Sequence, residues 1–251
     1  MTDFKNKVAL ITGGGRDIGG EISKKLASLG VKVCYNYFDS DEKGDLTLKT
    51  IKASGGEALM VKGDLTKQAD IDNLVKSCVD TYGKKIDILV NVTGGLVGRK
   101  TVEEMDEKFW DFLMTLNLKT VFMVTKATLP YMSSGGSIVN FSSQAARDGG
   151  GPGAIAYATA KGGVLTFTRG LSKELGPKGI RVNAVSPGMI ATTFHDTFTK
   201  PEVREKVAGS TPLRREGKAN EVADLVVYLC SNESSFITGA SIEINGGTYF
   251  I

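Results

Sequence analysis

The chain has 251 residues, of which 41% are hydrophobic and 24% are charged, the composition of a water-soluble globular protein. Its net charge of +3 arises from 31 Lys and Arg against 28 Asp and Glu, and the two signs are interspersed. Nucleic-acid binding needs a clustered basic face, so we expect no nucleic-acid partner. The apolar runs are short and no signal peptide is recognisable, so we expect a cytoplasmic protein without a membrane partner. No linker or repeat divides the chain, and one domain over residues 1–251 is the simplest interpretation.

Histidine and cysteine are scarce. The single histidine, His195, leaves no cluster for zinc or iron, so we predict no metal site. A serine hydrolase would have to use this histidine, and the chain lacks the nucleophile elbow of such enzymes. Cys34, Cys78 and Cys230 are far apart in apolar patterns, which is typical of buried reduced thiols. Proton transfer must therefore come mainly from other side chains.

The chain begins with a strand, a glycine-rich turn and a helix. The apolar strand Lys7–Thr12 runs into Gly13–Gly19, and a helical pattern then continues to Leu29 before Gly30. Glycines let the backbone approach a ligand closely, and the free amides of a helix N-terminus suit a pyrophosphate. Tight turns need glycine anyway, but the position between a first strand and a helix favours nucleotide binding.

Strands and helices then alternate. Further strands are predicted at Val31–Tyr37, Ala58–Lys62, Ile86–Val90, Ile138–Phe141, Gly179–Val185 and Ser241–Asn245. Helices are predicted at Asp41–Ser54, Ile71–Tyr82, about Val102–Met132, Tyr157–Leu175, about Pro201–Gly209 and about Ala219–Ser231, with a loop over Gln144–Ile155. This alternation predicts an α/β fold, a Rossmann-like, doubly wound and mainly parallel sheet of seven strands with helices on both faces.

Polar residues and glycines follow the strands. They are Gly13–Gly15, Asp64, Asn91–Gly94, Ser142 with Ser143, and Ser186–Gly188. Each of these residues could be present only because its own turn requires it. The carboxyl ends of parallel strands meet at one edge of the sheet, however, and ligands of such folds bind there. The recurrence therefore predicts one ligand site.

Tyr157 and Lys161 are four residues apart in a predicted helix. Side chains at this spacing share a face, with Cβ atoms about 5–6 Å apart. A nearby ammonium favours the phenolate, so we expect a tyrosine pKa below its usual value near ~10 and a role in general acid/base catalysis. By itself the pair is also compatible with an ordinary amphipathic helix. Asn117 lies in mid-helix, where it is either tolerated or placed for hydrogen bonding in a site.

Taken together, these motifs resemble the short-chain dehydrogenase/reductase family over essentially the whole chain. The matching segments are Thr12–Gly19, Asp64, Asn91–Gly94, Asn117, Ser142–Ser143, Tyr157 with Lys161, Arg181–Gly188, Thr238–Gly239 and Gly246–Gly247. The resemblance is closest to the 3-oxoacyl-carrier-protein reductase and sugar-alcohol dehydrogenase branches. It implies hydride transfer between a nicotinamide and a small carbonyl or secondary alcohol substrate, with a 3-oxoacyl-type ketone favoured. A sugar or polyol dehydrogenase and a non-catalytic nucleotide-binding protein remain alternatives.

The resemblance also implies roles for individual residues. Tyr157 would be the general acid or base, and Lys161 would lower its pKa and bind the nicotinamide ribose. Ser143, or alternatively Ser142, would hydrogen-bond the substrate oxygen, and Asn117 would hold a water of a proton relay. The implied cofactor-binding residues are Gly13, Gly15, Arg16, Asp17, Ile18, Gly19, Tyr37, Asp64, Leu65, Asn91, Thr93, Gly94, Tyr157, Lys161, Pro187, Gly188, Ile190 and Thr192.

Four residues bear on the cofactor. Asp17 replaces a glycine of the family motif; it could cap its helix, and its carboxylate could compete with the pyrophosphate for the same amides. Tyr37 stands where family members that use NAD usually carry an acidic residue, and Arg16 matches the cation that binds a 2′-phosphate. NADP(H) is therefore expected over NAD(H), although Asp39 lies close by.

The substrate-covering segment is expected at about residues 189–215. Phe194, His195 and Phe198 are the candidate lining residues, and Leu96, Val97 and Arg99 are candidates for the opposite wall. The resemblance further implies a homotetramer that pairs through the long helices and the C-terminal strand.

Overall fold

The computed structural model describes residues 4–250, and a parallel sheet forms its centre. The strands are β1 (Val8–Thr12), β2 (Lys32–Tyr37), β3 (Ala58–Lys62), β4 (Ile88–Asn91), β5 (Ser137–Phe141), β6 (Arg181–Pro187), β7 (Ile190–Ala191), β8 (Gly217–Lys218) and β9 (Ser241–Ile244). The helices are α1 (Asp17–Ser28), α2 (Asp41–Ala53), α3 (Gln68–Tyr82), α4 (Glu107–Met114), α5 (Thr120–Thr128), α6 (Ala145–Asp148), α7 (Ile155–Leu175), α8 (Thr193–Phe198), α9 (Pro201–Ser210) and α10 (Ala219–Cys230).

Seven strands form the sheet in the order β3-β2-β1-β4-β5-β6-β9, and every neighbouring pair is parallel. Leu10 of β1 pairs with Cys34 on one side and with Leu89 on the other, so the strand order reverses around β1. This is a doubly wound sheet, whose ligands bind at the carboxyl ends of the strands near the reversal. The predicted fold class is confirmed.

Each face of the sheet carries its own apolar core because successive strand side chains point to opposite faces. Ile11 belongs to the core that packs on α1, α2 and α10, and Leu10 to the core that packs on α3, α5 and α7. Both side chains are fully buried. Burial of a Leu or Ile side chain stabilises a fold by about 1.5–3 kcal/mol, so these two layers hold the strand ends rigidly in place. Cys34, Cys78 and Cys230 are buried free thiols, as expected.

The predicted helix Val102–Met132 is wrong at its start and in its regularity. The helix begins at Glu107, because the Asp106 carboxylate accepts a hydrogen bond of 2.8 Å from the Phe109 amide and caps the N-terminus. Residues 115–119 then form a π-helical turn between α4 and α5. The extra residue of such a turn rotates the helix face. Phe112, which precedes the turn, is 45% exposed.

Other departures are local. The expected loop 144–155 contains the short helix α6, and β7 and β8 form a small parallel pair that the sequence pattern did not predict. Predicted strand ends differ by one or two residues from those observed, as for β4 and β6. Among residues 4–250, no helix combines the length and the apolar character needed to cross a membrane.

Candidate active site

Helix α7 carries Tyr157 and Lys161 to the carboxyl end of β5. Lys161 is only 3% exposed, and its Nζ donates a hydrogen bond of 2.8 Å to the Phe141 carbonyl oxygen at the end of that strand. Its Nζ lies 5.8 Å from the centroid of the Tyr157 ring. The Ser142 hydroxyl donates to the Lys161 carbonyl at 2.9 Å and so joins strand and helix a second time. The predicted pair is therefore brought together on one helix face.

The two candidate serines make different contacts. The Ser142 side chain is buried, and its hydroxyl is occupied by the helix backbone. The Ser143 hydroxyl instead lies close enough to the Tyr157 phenol to lower its pKa, and it accepts a hydrogen bond of 3.1 Å from the Ala145 amide. Of the two serines, only Ser143 therefore lies beside the Tyr157 phenol.

The electrostatics differ from the sequence-based expectation. Burial raises the pKa of Tyr157 above its usual value, and the Ser143 hydrogen bond offsets only part of that effect. Burial also lowers the pKa of Lys161 to about 8. The expected lowering of the Tyr157 pKa by the ammonium is wrong, because removal of the phenolate from water dominates.

Asn117 is fully buried in the π-helical turn and joins α4 to the end of β4. Its Oδ1 accepts from the Gly95 amide at 2.9 Å, while its Nδ2 donates to the Gly95 and Leu113 carbonyls at 3.0 and 3.1 Å. A Cβ atom on Gly94 would lie 2.7 Å from Asn117 Oδ1 and 3.0 Å from Lys161 Nζ. Glycine at this position therefore allows the asparagine and the lysine to approach the same loop.

The glycine-rich turn folds tightly over the N-terminus of α1. Gly13 has φ +63°, and a Cβ atom on Gly19 would lie 2.0 Å from the Gly13 carbonyl oxygen, so only glycine fits there. The Ser23 hydroxyl donates to the carbonyls of Gly14 and Gly19 at 2.8 and 2.9 Å. The first amides of a helix have no partner within the helix, which makes this turn suitable for binding an anion.

The Asp17 side chain does not cap helix α1, as the sequence suggested that it could. It is the first residue of α1 and has φ +49°, a left-handed conformation that is unusual outside glycine. Its Oδ1 accepts a hydrogen bond of 3.2 Å from the Thr193 amide, and its Oδ2 accepts one from the Thr193 hydroxyl. The carboxylate thus reaches helix α8 across the edge of the sheet, a contact that no sequence pattern indicated.

The edge beside β4 contains two buried oxygens without a hydrogen bond among the described residues, Asn91 Oδ1 and Thr93 Oγ1. Asn91 Nδ2 donates to Asn140 Oδ1 at 2.9 Å, so this residue also joins β4 to β5. Asp64, after β3, accepts from the amide and hydroxyl of Thr66 at 3.0 and 2.7 Å. Asn91, Thr93 and Asp64 are therefore held in fixed positions near the glycine-rich turn.

Arg16 and Tyr37 lie at the end of β2. Arg16 Nη2 is 3.0 Å from Asp39 Oδ2, and both side chains are largely exposed. An exposed ion pair stabilises a protein by only about 0–1 kcal/mol, so the guanidinium can leave Asp39 for a stronger anion. The Tyr37 phenol hydrogen-bonds Asp41, and its ring lies 5.9 Å from Lys62 Nζ.

Apolar candidates for cofactor binding pack into the protein. Leu65 and Ile190 are buried, and Ile18 packs against the core beside α1. Gly188 follows β6, and its amide donates to the Ile244 carbonyl at 3.0 Å. Thr192 is nearly buried, with its hydroxyl bonded to the Ile190 carbonyl at 3.1 Å. Side chains of these residues hold the backbone in place, while backbone groups face the edge of the sheet.

Helix α8 places an aromatic group beside Tyr157. The Phe194 ring centroid is 6.1 Å from that of Tyr157, 5.2 Å from that of Phe198 and 5.1 Å from that of His195. The His195 Nδ1 lies 3.0 Å from the Thr199 hydroxyl, and burial together with nearby Arg204 lowers the pKa of this histidine. The imidazole is therefore part of an aromatic wall, and its surroundings favour the neutral form.

The opposite wall is only partly as expected. Leu96 is buried in the protein and cannot line an open site, whereas Val97 is 46% exposed with φ +62°. Arg99 Nη1 donates a hydrogen bond of 2.9 Å to the Pro152 carbonyl in the loop before α7. Of the three residues, Val97 and Arg99 remain available near the opening.

Comparison with known proteins agrees with this geometry. Residues 13–249 match the family model described as enoyl-(acyl carrier protein) reductase, a model of short-chain dehydrogenases/reductases. A 3-oxoacyl-[acyl-carrier-protein] reductase from Synechocystis is 35% identical over 250 residues, which cover 98% of each chain.

Two solved structures are also similar. An NADH-dependent reductase responsible for alginate metabolism is 32% identical with a TM-score of 0.91, covering 100% of each chain. A short-chain dehydrogenase from Burkholderia cenocepacia in complex with NADP is 30% identical with a TM-score of 0.90, covering 98% of each chain. The matched family model, the similarity along nearly the full length and the shared architecture lead to one conclusion: this chain belongs to the short-chain dehydrogenase/reductase family.

Proposed function

We propose that this protein is an NADP(H)-dependent reductase of 3-oxoacyl-type ketones. The observation that carries the proposal is the convergence of the Ser143 hydroxyl and the Tyr157 phenol beside the buried ammonium of Lys161. The similarity to the Synechocystis reductase, which is named for a 3-oxoacyl substrate, supports the substrate class.

The groups around the turn suit a dinucleotide. The α1 N-terminus offers amides and a positive dipole end to a pyrophosphate, and the unpartnered Thr93 Oγ1 offers a hydroxyl to a polar ligand. Lys161 and Asp64 supply a cation and a carboxylate of fixed position for ribose and base. When bound, the nicotinamide nucleotide supplies or accepts the hydride. The remaining proposed contacts come from the backbone of Gly13–Gly19, Asn91–Gly94 and Pro187–Thr192.

The chain's own residues perform the proton transfer. The Tyr157 phenol donates its proton to the carbonyl oxygen of the ketone, and the Ser143 hydroxyl donates a hydrogen bond to the same oxygen. A raised pKa keeps the phenol protonated at neutral pH, which suits reduction better than alcohol oxidation. Lys161 stabilises the phenolate that remains. Asn117 holds the loop at Gly95 against α4. It thereby fixes the loop that lies beside the Lys161 ammonium.

Cofactor preference rests on the end of β2. Tyr37 carries no charge to bind a ribose 2′-hydroxyl, whereas Arg16 provides a guanidinium that an exposed ion pair holds only weakly. The similar proteins include one in complex with NADP and one described as NADH-dependent, so the family permits either cofactor. Bidentate binding of a phosphate by arginine favours NADP(H) here.

The segment 189–215 covers the substrate in this proposal. Phe194 and Phe198 form an apolar wall beside Tyr157, which suits an acyl chain better than a polyol. We further propose a cytoplasmic homotetramer. Trp110, Phe112 and Phe122 on α4 and α5 are 37%, 45% and 45% exposed, and such an apolar face is typical of a surface covered in an oligomer.

Replacement of the general acid tests the mechanism. Tyr157→Phe removes only the phenolic oxygen, so we expect reduction to fall by at least about 10²-fold while NADPH binding is retained. NADPH oxidation with a 3-oxoacyl thioester gives the rate, and protection against thermal unfolding gives binding. Tyr228→Phe, which alters a partly exposed tyrosine on α10, is the control. Undiminished turnover in the Tyr157 variant would sink the mechanism.

The pH profile tests the serine. Reduction needs protonated Tyr157, so kcat/KM falls as pH rises through the pKa of the phenol. The Ser143 hydrogen bond lowers that pKa, and its removal in Ser143→Ala therefore moves the alkaline limb to higher pH. We also expect a rate loss of about 10²-fold, because a hydrogen bond to the developing oxyanion is lost.

Ser142→Ala is the matched control, since its hydroxyl bonds the Lys161 carbonyl instead of the phenol. Its alkaline limb should stay in place. An unmoved limb in Ser143→Ala would mean that another group, such as Lys161 with its pKa of about 8, governs the profile.

The ratio of efficiencies with the two nucleotides tests the role of Arg16. Arg16→Ala removes the cation proposed for the 2′-phosphate, so the ratio of kcat/KM with NADPH to that with NADH should fall about tenfold or more. Arg169→Ala, at an exposed arginine of α7, should leave the ratio unchanged. An unaltered ratio in the Arg16 variant would rule out this assignment.

A further inference from the structure

A carboxylate on the nucleotide-binding turn holds the first residue of the substrate-covering segment. Asp17 accepts hydrogen bonds from both the amide and the hydroxyl of Thr193, which is separated from it by 176 positions in the chain. Thr193 is the first residue of α8. Two hydrogen bonds to one ionised carboxylate are stronger than bonds between neutral groups. The contact therefore fixes α8 against the turn.

The backbone at Asp17 is strained. With φ +49°, the residue occupies the left-handed region, which glycine adopts freely and which other residues adopt at an energetic cost. Asp tolerates this region better than most residues, but glycine would satisfy the turn without strain. A strained residue whose side chain makes a long-range contact points to a role for that contact.

An ion pair joins the two helices that follow Thr193. Arg204 of α9 binds the Glu216 carboxylate through two nitrogens and also contacts Asp196 of α8. Phe194, next to Thr193, packs beside the Tyr157 ring. Thr193 is therefore linked, through α8 and the Arg204–Asp196 ion pair, to α9 and to the aromatic wall of the proposed substrate site. We name residues 193–210 the lid.

The Asp17 carboxylate and a pyrophosphate compete. Both are anions, and both would lie at the N-terminal end of α1. A pyrophosphate bound there would be repelled by the carboxylate and would meet the Thr193 amide and hydroxyl already engaged. Binding of a dinucleotide therefore opposes the Asp17–Thr193 contact.

We propose that Asp17 and Thr193 form a latch that holds the start of α8 against the glycine-rich turn, and that dinucleotide binding releases this contact. Asp17 is then a positioning residue that acts through α8, and the proposal rests on the function proposed above. Coupling between two events is reciprocal. If the nucleotide weakens the latch, loss of the latch strengthens nucleotide binding.

Two variants and one control test the latch. Asp17→Gly removes the carboxylate and suits the left-handed backbone, and Thr193→Val removes the hydroxyl but keeps the Asp17 charge. Thr197→Val removes an exposed hydroxyl of the same helix that bonds the Thr193 carbonyl at 2.8 Å instead of Asp17, so it leaves the Asp17–Thr193 contact in place. Amide hydrogen exchange of residues 193–210 without nucleotide reports lid opening. Quenching of the Trp110 fluorescence, or a direct calorimetric titration, gives the Kd for NADPH and for NADH.

We expect faster lid exchange and about tenfold tighter NADPH binding in Asp17→Gly, the same changes at smaller size in Thr193→Val, and neither in Thr197→Val. A contact with a merely structural role would weaken binding when lost. Unchanged exchange in both test variants would overturn the latch. Tighter binding in Asp17→Gly alone, with Thr193→Val like the parent, would also overturn it, because charge repulsion without a latch would then explain the gain.

Failure of the proposed function has a different signature. If neither nucleotide binds to any variant, the cofactor assignment and the coupling are both overturned. Lid exchange then decides whether Asp17 and Thr193 hold the lid at all.

Discussion

The site depends on a buried ammonium. Lys161 lies inside the protein, where an unpaired charge would be costly, and the Phe141 carbonyl at the end of β5 accepts its hydrogen bond. This bond fixes the rotation of α7 and, with it, the position of Tyr157 one turn earlier. Gly94 leaves space for the ammonium and for the Asn117 side chain. Because β4 and β5 lie inside the parallel sheet, its core fixes the positions of Tyr157 and Lys161.

Much of this architecture could be predicted from the sequence because it follows from repeated patterns. Apolar strands alternating with amphipathic helices define a parallel sheet, and polar residues after each strand identify the edge that binds a ligand. The long helix was less predictable. Asp106 ends the preceding loop with a local cap, and the π-helical turn at Asn117 adds one residue that no 3.6-residue period reveals.

Side-chain directions could not be predicted, since they depend on neighbours distant in sequence. The spacing of Tyr157 and Lys161 indicated proximity, but the direction of the Tyr157 pKa depends on burial that only the packed structure defines. Ser142 and Ser143 are chemically identical in sequence, and only their hydrogen bonds distinguish them. Asp17 looked like a helix cap, yet its carboxylate binds Thr193 across the fold. Proximity of residues within one helix could be predicted, and contacts between separate elements could not.

The central proposal is that Ser143, Tyr157 and Lys161 support the reduction of a ketone by a nicotinamide nucleotide. The most direct measurement is NADPH oxidation by the purified protein after addition of a short 3-oxoacyl thioester, with the product quantified in parallel. We expect one 3-hydroxyacyl product for each NADPH consumed. No oxidation, under conditions in which NADPH measurably protects the protein against thermal unfolding, would contradict it, because the nucleotide would be bound without the chemistry.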